Sequence, residues 1–299
     1  MQVTYLLIEG MYIMESITRA PHSKAVIVLV HGMQEHSNRY QAFCDYLAQH
    51  GYSSVRYDLI GHGQNLPAQL KGYFGFKGWH NFIFQLHKYV QLAHREFPDQ
   101  PVILFGHSMG TIIIRSYIQK YDDFDGMILS GTPFYNPLWV FGKLISSGIV
   151  MAKGAKSKSR LLDKLTTGQF IKKIPHPKTN LDWLSHNSKD VQSYIDDPDC
   201  GFSFTSQGYN DLYEGMREVG HLRYFHSNHP VPVLFLNGRD DPCAGKKSQV
   251  QSSLNMLVKA GYHDMTHHSY PQMRHEILFE RDATVVMNDI VNWLERKVN

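Results

Sequence analysis

One segment constrains the chain more than any other. Gly106-His107-Ser108-Met109-Gly110 comes directly after the apolar run Val102–Phe105 and directly before the helical run Thr111–Lys120. A serine in G-x-S-x-G between a strand and a helix reads as a nucleophile elbow. The turn is so tight that glycines are needed where neighbouring backbone comes close, and it lifts the serine hydroxyl above the sheet. A helix opening there aims amide donors and its positive end at an oxyanion forming on that serine.

The rest of the chain supplies the sheet that such a turn needs. Ala25–Val30, Ser53–Tyr57, Val102–Phe105, Gly126–Ser130 and Val231–Leu236 read as strands. Most are continuous Val/Ile/Leu runs, as expected of parallel strands buried on both faces. Helical spacing falls between them. Apolar residues at 82, 83, 86, 89, 90, 93 and 97 precede Pro98; Val250, Leu254, Leu257 and Val258 precede Gly261; and Ala283, Val286, Met287, Ile290 and Leu294 form the last stripe. The alternation predicts βαβ units and a mostly parallel sheet flanked by helices.

The rhythm breaks between about 134 and 226. From Lys143 to Lys178 there are nine Lys or Arg and one acid, Asp163. This stretch reads as an inserted, mainly helical cap (134–226) between two parts of one core (1–133 and 227–299). Its apolar segments, Pro137–Phe141 and Leu144–Met151, could line an acyl tunnel, and its lysines could bring the protein transiently to an anionic bilayer surface.

A serine needs a base and an acid that orients the base. Around such an elbow these follow in the order Ser, Asp, His, on loops after later strands. Asn237-Gly-Arg-Asp240-Asp241-Pro-Cys243 follows a strand, and Tyr270-Pro-Gln-Met-Arg-His275-Glu276 precedes the final helix. Ser108, Asp241 and His275 satisfy the order, with Asp240 an alternative acid. His263, His267 and His268 read as surface or core histidines in or before the last strand. One oxyanion amide should come from Met109 and the other from Met33, in the loop His31-Gly-Met-Gln-Glu35-His-Ser-Asn-Arg39-Tyr40. Glu35 and Arg39 fit either an ion pair that props this loop or a substrate contact. Asp58-Leu-Ile-Gly61-His-Gly63 lacks the third glycine of a dinucleotide fingerprint and reads as scaffold.

Composition removes other classes. Hydrophobic residues are 42% and charged residues 19%, ordinary for a packed globular chain. A net charge of +3 is too balanced for a surface devoted to nucleic acid. Cys44, Cys200 and Cys243 are too few and too scattered for a disulfide framework or a Cys-rich zinc site. The first ten residues lack a signal peptide's basic start and cleavage site. No run reaches the ~18 apolar residues of a membrane span. The expectation is a cytoplasmic protein, with oligomeric state open.

Taken together, HGMQEHSNRY, DLIGHGQ, GHSMG, NGRDDP and YPQMRHE resemble, in order, the motifs of the monoacylglycerol lipase and lysophospholipase branch of the α/β-hydrolase family. The match runs from about residue 20 to the C-terminus and is weakest in the cap, where Tyr194-Ile-Asp-Asp-Pro198 is similar to a stretch of these enzymes. The resemblance implies the α/β-hydrolase fold and a serine esterase acting on a small-molecule ester with an acyl chain. It implies Ser108 as nucleophile, His275 as base, Asp241 as orienting acid, and Met33 and Met109 as oxyanion amides. Glu35 and Arg39 would contribute to a polar substrate pocket. No cofactor or metal is implied, since acyl transfer by this triad needs neither. Met33 and Gln34 stand where the family commonly has small residues. A small-ester esterase or a proline-type peptidase would use the same triad. A receptor-like relative is disfavoured because every triad position is filled.

Overall fold

The computed structural model describes residues 2–8, 11–64 and 66–298. Among them run eight strands, β1 Gln2–Ile8, β2 Met11–Thr18, β3 Ala25–Val30, β4 Tyr52–Tyr57, β5 Val102–His107, β6 Gly126–Ser130, β7 Val233–Gly238 and β8 Met265–Tyr270. The nine α-helices among the described residues are α1 Gln41–Gln49, α2 Gly78–Glu96, α3 Met109–Tyr117, α4 Trp139–Lys153, α5 Arg160–Thr166, α6 Ser188–Asp196, α7 Ser206–His221, α8 Lys247–Lys259 and α9 Ala283–Lys297.

The strands form one sheet in the order β1-β2-β4-β3-β5-β6-β7-β8. β1 pairs antiparallel with β2, β2 antiparallel with β4, and every other pair is parallel. Period-two alternation splits each central strand between two cores. Val26, Val28 and Val30 of β3 face the layer holding α2, α3 and α8. Ala25, Ile27 and Leu29 face α1 and α9. From β3 the chain steps to β4 on one side and then crosses to β5 on the other. The loops leaving β3 and β5 therefore diverge and open a crevice at the carboxyl edge, where open α/β sheets bind ligands.

Local differences from the sequence reading have local causes. β7 begins two residues late because Pro232 has no N–H to donate; its carbonyl accepts from the Met127 amide at 3.1 Å. α8 and α9 follow the expected stripes, except that Val258 is 39% exposed. The β1–β2 hairpin is not among the strands read from the sequence; it joins the sheet through the pairing of Glu15–Thr18 with Ser54–Tyr57.

Between β6 and β7 the chain forms α4, α5, α6 and α7. α7, capped by the Thr205 hydroxyl accepting from the Gly208 amide at 3.0 Å, places Tyr209, Leu212 and Val219 in the same core as α2 and α3. Ile174, Trp183, Leu184 and Tyr194 form a separate cluster that reaches Cys243 of the loop after β7.

Candidate active site

Four loops at the carboxyl ends of β3, β5, β7 and β8 build the site. Ser108 has φ 50° and ψ −115°, a strained conformation for a residue with a Cβ, costing about 1–3 kcal/mol. The flanking glycines have steric reasons. A Cβ on Gly110 would lie 2.2 Å from the Val30 carbonyl oxygen, and one on Gly106 would lie 2.7 Å from Ile114 Cδ1. The elbow is wedged between β3 and its own helix.

The Ser108 hydroxyl donates to His275 Nε2 at 2.8 Å, and His275 Nδ1 donates to Asp241 Oδ2 at 2.9 Å. Asp241 Oδ1 accepts from the Cys243 amide at 2.7 Å, and the Asp241 side chain is fully buried. Asp240 lies apart: its carboxylate, 46% exposed, meets His186 at 3.0 Å. The geometry therefore selects Asp241 over its neighbour. Burial opposes the imidazolium of His275, but the charge and hydrogen bond of Asp241, followed by the charges of Glu276 and Glu35, outweigh it and raise the pKa above its ordinary value. His107, 4.9 Å away between ring centres, is pushed down to about 3 by burial and by His275, so it stays neutral.

Met33 and Met109 both line the cavity beside Ser108. Met109 opens α3, so its amide is among those with no intrahelical acceptor. The loop carrying Met33 runs against the elbow: a Cβ on Gly32 would lie 3.2 Å from Ser108 Cβ. Asp58 of the expected scaffold turn supports this loop by accepting from the amide and hydroxyl of Ser37 at 2.8 and 2.7 Å. Tyr194 and Asp197, in the stretch singled out within the cap, reach the same loop. The Tyr194 hydroxyl donates to the Gln34 carbonyl at 2.7 Å, and Asp197 meets His36 at 2.9 Å.

Glu35 and Arg39 come together, but only Glu35 faces the cavity. Arg39, 8% exposed at its side chain, donates to Glu35 Oε2 at 2.7 Å and to both Glu276 oxygens at 2.7 and 2.8 Å. It stands behind the lining, in the ion pair that was one of the two readings of this loop. The cavity holds about 430 Å³, within the range of small-molecule sites. Trp139, Phe141, Ile145, Leu165, Phe170 and Trp183 give it an apolar wall, and Glu35 and Glu276 a polar corner. Trp183, whose ring lies 5.0 Å from His275, has no motif to announce it, and Glu276 closes the YPQMRHE segment without a role assigned to it.

The late histidines go elsewhere. His267 meets Asn237 at 2.8 Å and His268 meets Asp289 at 3.1 Å. Among the described residues, two groups bring three potential metal donors within 4.8 Å, His36 with Asp197 and Cys200, and Asp241 with Cys243 and His275. In both, the histidine and aspartate already bond each other.

A mostly parallel sheet bearing a strained serine, with a buried His–Asp pair on later loops, defines an α/β-hydrolase. Residues 21–282 match the family described as serine aminopeptidase, S33, and the chain belongs to that family. It is 25% identical over 275 residues to the monoacylglycerol lipase of Mycolicibacterium smegmatis, covering 91% of this chain and 88% of that one. It is also 25% identical over 276 residues to the monoglyceride lipase of Rattus norvegicus, covering 88% and 82%. Among solved structures, a carboxyl esterase from Bacillus coagulans in complex with glycerol superposes with a TM-score of 0.89 at 23% identity, covering 100% of this chain and 99% of that one.

Proposed function

We propose that this protein hydrolyses carboxylic esters of a lipid-like substrate, a monoacylglycerol or lysophospholipid, through an acyl-enzyme on Ser108. The observation that carries the reading is the unbroken Ser108–His275–Asp241 hydrogen-bond chain at the edge of an apolar cavity.

His275 Nε2 takes the proton of Ser108 as Oγ attacks the ester carbonyl. Asp241 holds the imidazole in the tautomer whose Nε2 is free to accept, and stabilises the cation that forms. The amides of Met33 and Met109 receive the oxyanion. Comparable side-chain donors elsewhere contribute about 3 kcal/mol. His275 then protonates the leaving alkoxide, and the alcohol departs. Water, deprotonated by the same histidine, attacks the acyl-enzyme and releases the fatty acid.

Residues 134–226 act as the cap in this reading. Leu138 and Phe141 are each 60% exposed and Leu144 66%, and Leu138 and Phe141 also line the cavity. An apolar rim at the mouth, with the basic tract beyond it, favours transient contact with an anionic bilayer surface, each cation there contributing about 1 kcal/mol. Unchanged vesicle co-sedimentation after the lysines from 153 to 173 become glutamine would remove that contact. No helix among the described residues is long and apolar enough to cross a membrane. Three buried free cysteines suit a reducing compartment, and the proposal places the enzyme in the cytoplasm.

An aminopeptidase needs an acid free to bind the substrate's amine. Glu35 and Glu276, the acids of the lining, are both held on Arg39, which supports the esterase instead. The test is a rate series on 1-monoacylglycerols, lysophosphatidylcholines, short p-nitrophenyl esters and aminoacyl amides, with Ser108→Ala as the blank. Preference for medium or long acyl esters is expected. Turnover of the amides alone would overturn the reading.

A further inference from the structure

Behind the polar corner, charges from three separate segments meet on Arg39. Glu35 comes from the loop after β3, and its Oε1 accepts the Gly32 amide at 2.5 Å and the Tyr40 hydroxyl at 2.9 Å. Glu276, the residue after His275, receives both arms of the guanidinium at 2.7 and 2.8 Å. Asp190 comes from α6 and stands 3.7 Å from Arg39. Tyr194 of the same helix and Phe279 cover the guanidinium faces, their ring centres 4.8 and 4.2 Å from Cζ. Every acid and Tyr194 in this hub is buried or nearly so.

Three carboxyl groups on one cation cannot all stay ionised cheaply in such a place. Burial, and then the charge of Glu276, push the Asp190 carboxyl up to about 7. Asp190 Oδ2 is buried without a donor. The nearby charge of Glu276 favours the protonated form of Asp190. The hub is therefore a balanced set that links the β3 loop, the base loop and the cap. It is larger than an ion pair propping one loop.

Resting on the esterase reading above, we propose that Arg39 and Glu276 are positioning residues of the reaction: they hold the loop of Gly32–Met33 and the loop of His275 in register with Ser108, and with Asp190 they seat α6 over both. The physical basis is the shared guanidinium. Glu35 pins the Gly32 amide, one residue before the Met33 donor, and Glu276 adjoins the base, so a shift of either loop must stretch a bidentate, buried ion pair. The groups facing His275 are Asp241, Glu276 and Glu35 as anions and His107 as a neutral ring. Changes in the hub must therefore also move the titration of the base.

The test uses the full-length enzyme with p-nitrophenyl butyrate. Active sites are counted by fluorophosphonate labelling of Ser108, and kcat/KM is followed against pH. Per labelled site, Glu276→Gln should lose about tenfold to a hundredfold in kcat with little change in KM, the range expected when reacting groups shift by a fraction of an ångström to 1 Å. Its acid limb should move to lower pH, because one anion that favours the imidazolium has gone. Arg39→Met should lose kcat similarly but move the limb to higher pH, since two carboxylates lose their cation. Arg39→Lys should restore the limb and part of kcat, lacking the fork. Folding defects alone would reduce the number of labelled sites without opposite shifts of the limb. Wild-type kcat and limb in both Glu276→Gln and Arg39→Met would overturn the inference. So would a rise confined to KM for monoacylglycerol, which would make these residues substrate contacts. Failure of the wild type to label at Ser108 would overturn the hydrolase reading and this inference with it.

Discussion

The loops at the carboxyl edge of the sheet and the segment between β6 and β7 solve opposite problems. Around Ser108 the geometry is over-determined. Gly110 leaves no space for a methyl group against β3, Asp241 is sealed from water, and four strands hold the four loops. At and along α4, by contrast, Leu138, Phe141, Leu144 and Met151 are largely exposed, the last 89%. A preorganised charge relay needs immobility. A surface that must admit an apolar chain needs greasy side chains with no permanent partner. The first region should respond to substitution in chemistry and folding, the second in substrate preference.

The sharpest way to break this contrast is at the relay. Ser108→Ala should remove turnover by a factor of about 10⁴ or more while the melting curve stays cooperative. Asp241→Asn should lower kcat by about 10⁴ and move the acid limb down, because the largest influence raising the His275 pKa is gone. In the wild type the limb should lie above pH 6.5. His275 works as a base only when neutral, and its raised pKa means that activity falls as the pH drops through that higher value.

Gly110→Ala comes next. A methyl group 2.2 Å from the Val30 carbonyl should destabilise the fold by about 1–3 kcal/mol or more, a drop of several degrees in Tm by calorimetry. Phe141→Ser with Leu144→Ser should leave Tm nearly unchanged, since both side chains are mostly exposed. It should lower kcat/KM for a long-chain monoacylglycerol by about tenfold relative to p-nitrophenyl acetate, the scale of one or two lost apolar contacts. An equal loss on both esters would mean that α4 supports the site itself. The smallest effect belongs to Asp240→Asn. Its carboxylate pairs with His186 at the surface, a contact worth about 0–1 kcal/mol, and kcat should stay within about twofold in steady-state assays. A loss like that of Asp241→Asn would reverse the assignment of the acid.

Much of this architecture was legible because it is local. β3 and β6 carry unbroken apolar runs that only a strand buried on both faces requires, and their ends agree with the expectation to the residue. G-x-S-x-G needs neighbours one and two positions away, so the nucleophile could be read directly. Other features depend on distant partners. The β1–β2 hairpin takes its place from β4, about 40 residues on. Trp183 and Asp190 have no signature of their own, and they and Glu276, which closes the YPQMRHE segment, matter because the segment between β6 and β7 and the last loop are folded against the same corner.

From its sequence alone this protein had an α/β sheet, a serine elbow and the order Ser, Asp, His, all set by residue type, spacing and the two hydrophobic periods. Tertiary structure decided between Asp240 and Asp241, since adjacent residues at a strand end point to different sides and one alone meets His275. It also joined Arg39, beyond its own-loop partner Glu35, to Glu276 and Asp190 from distant segments, a meeting that no local pattern encodes.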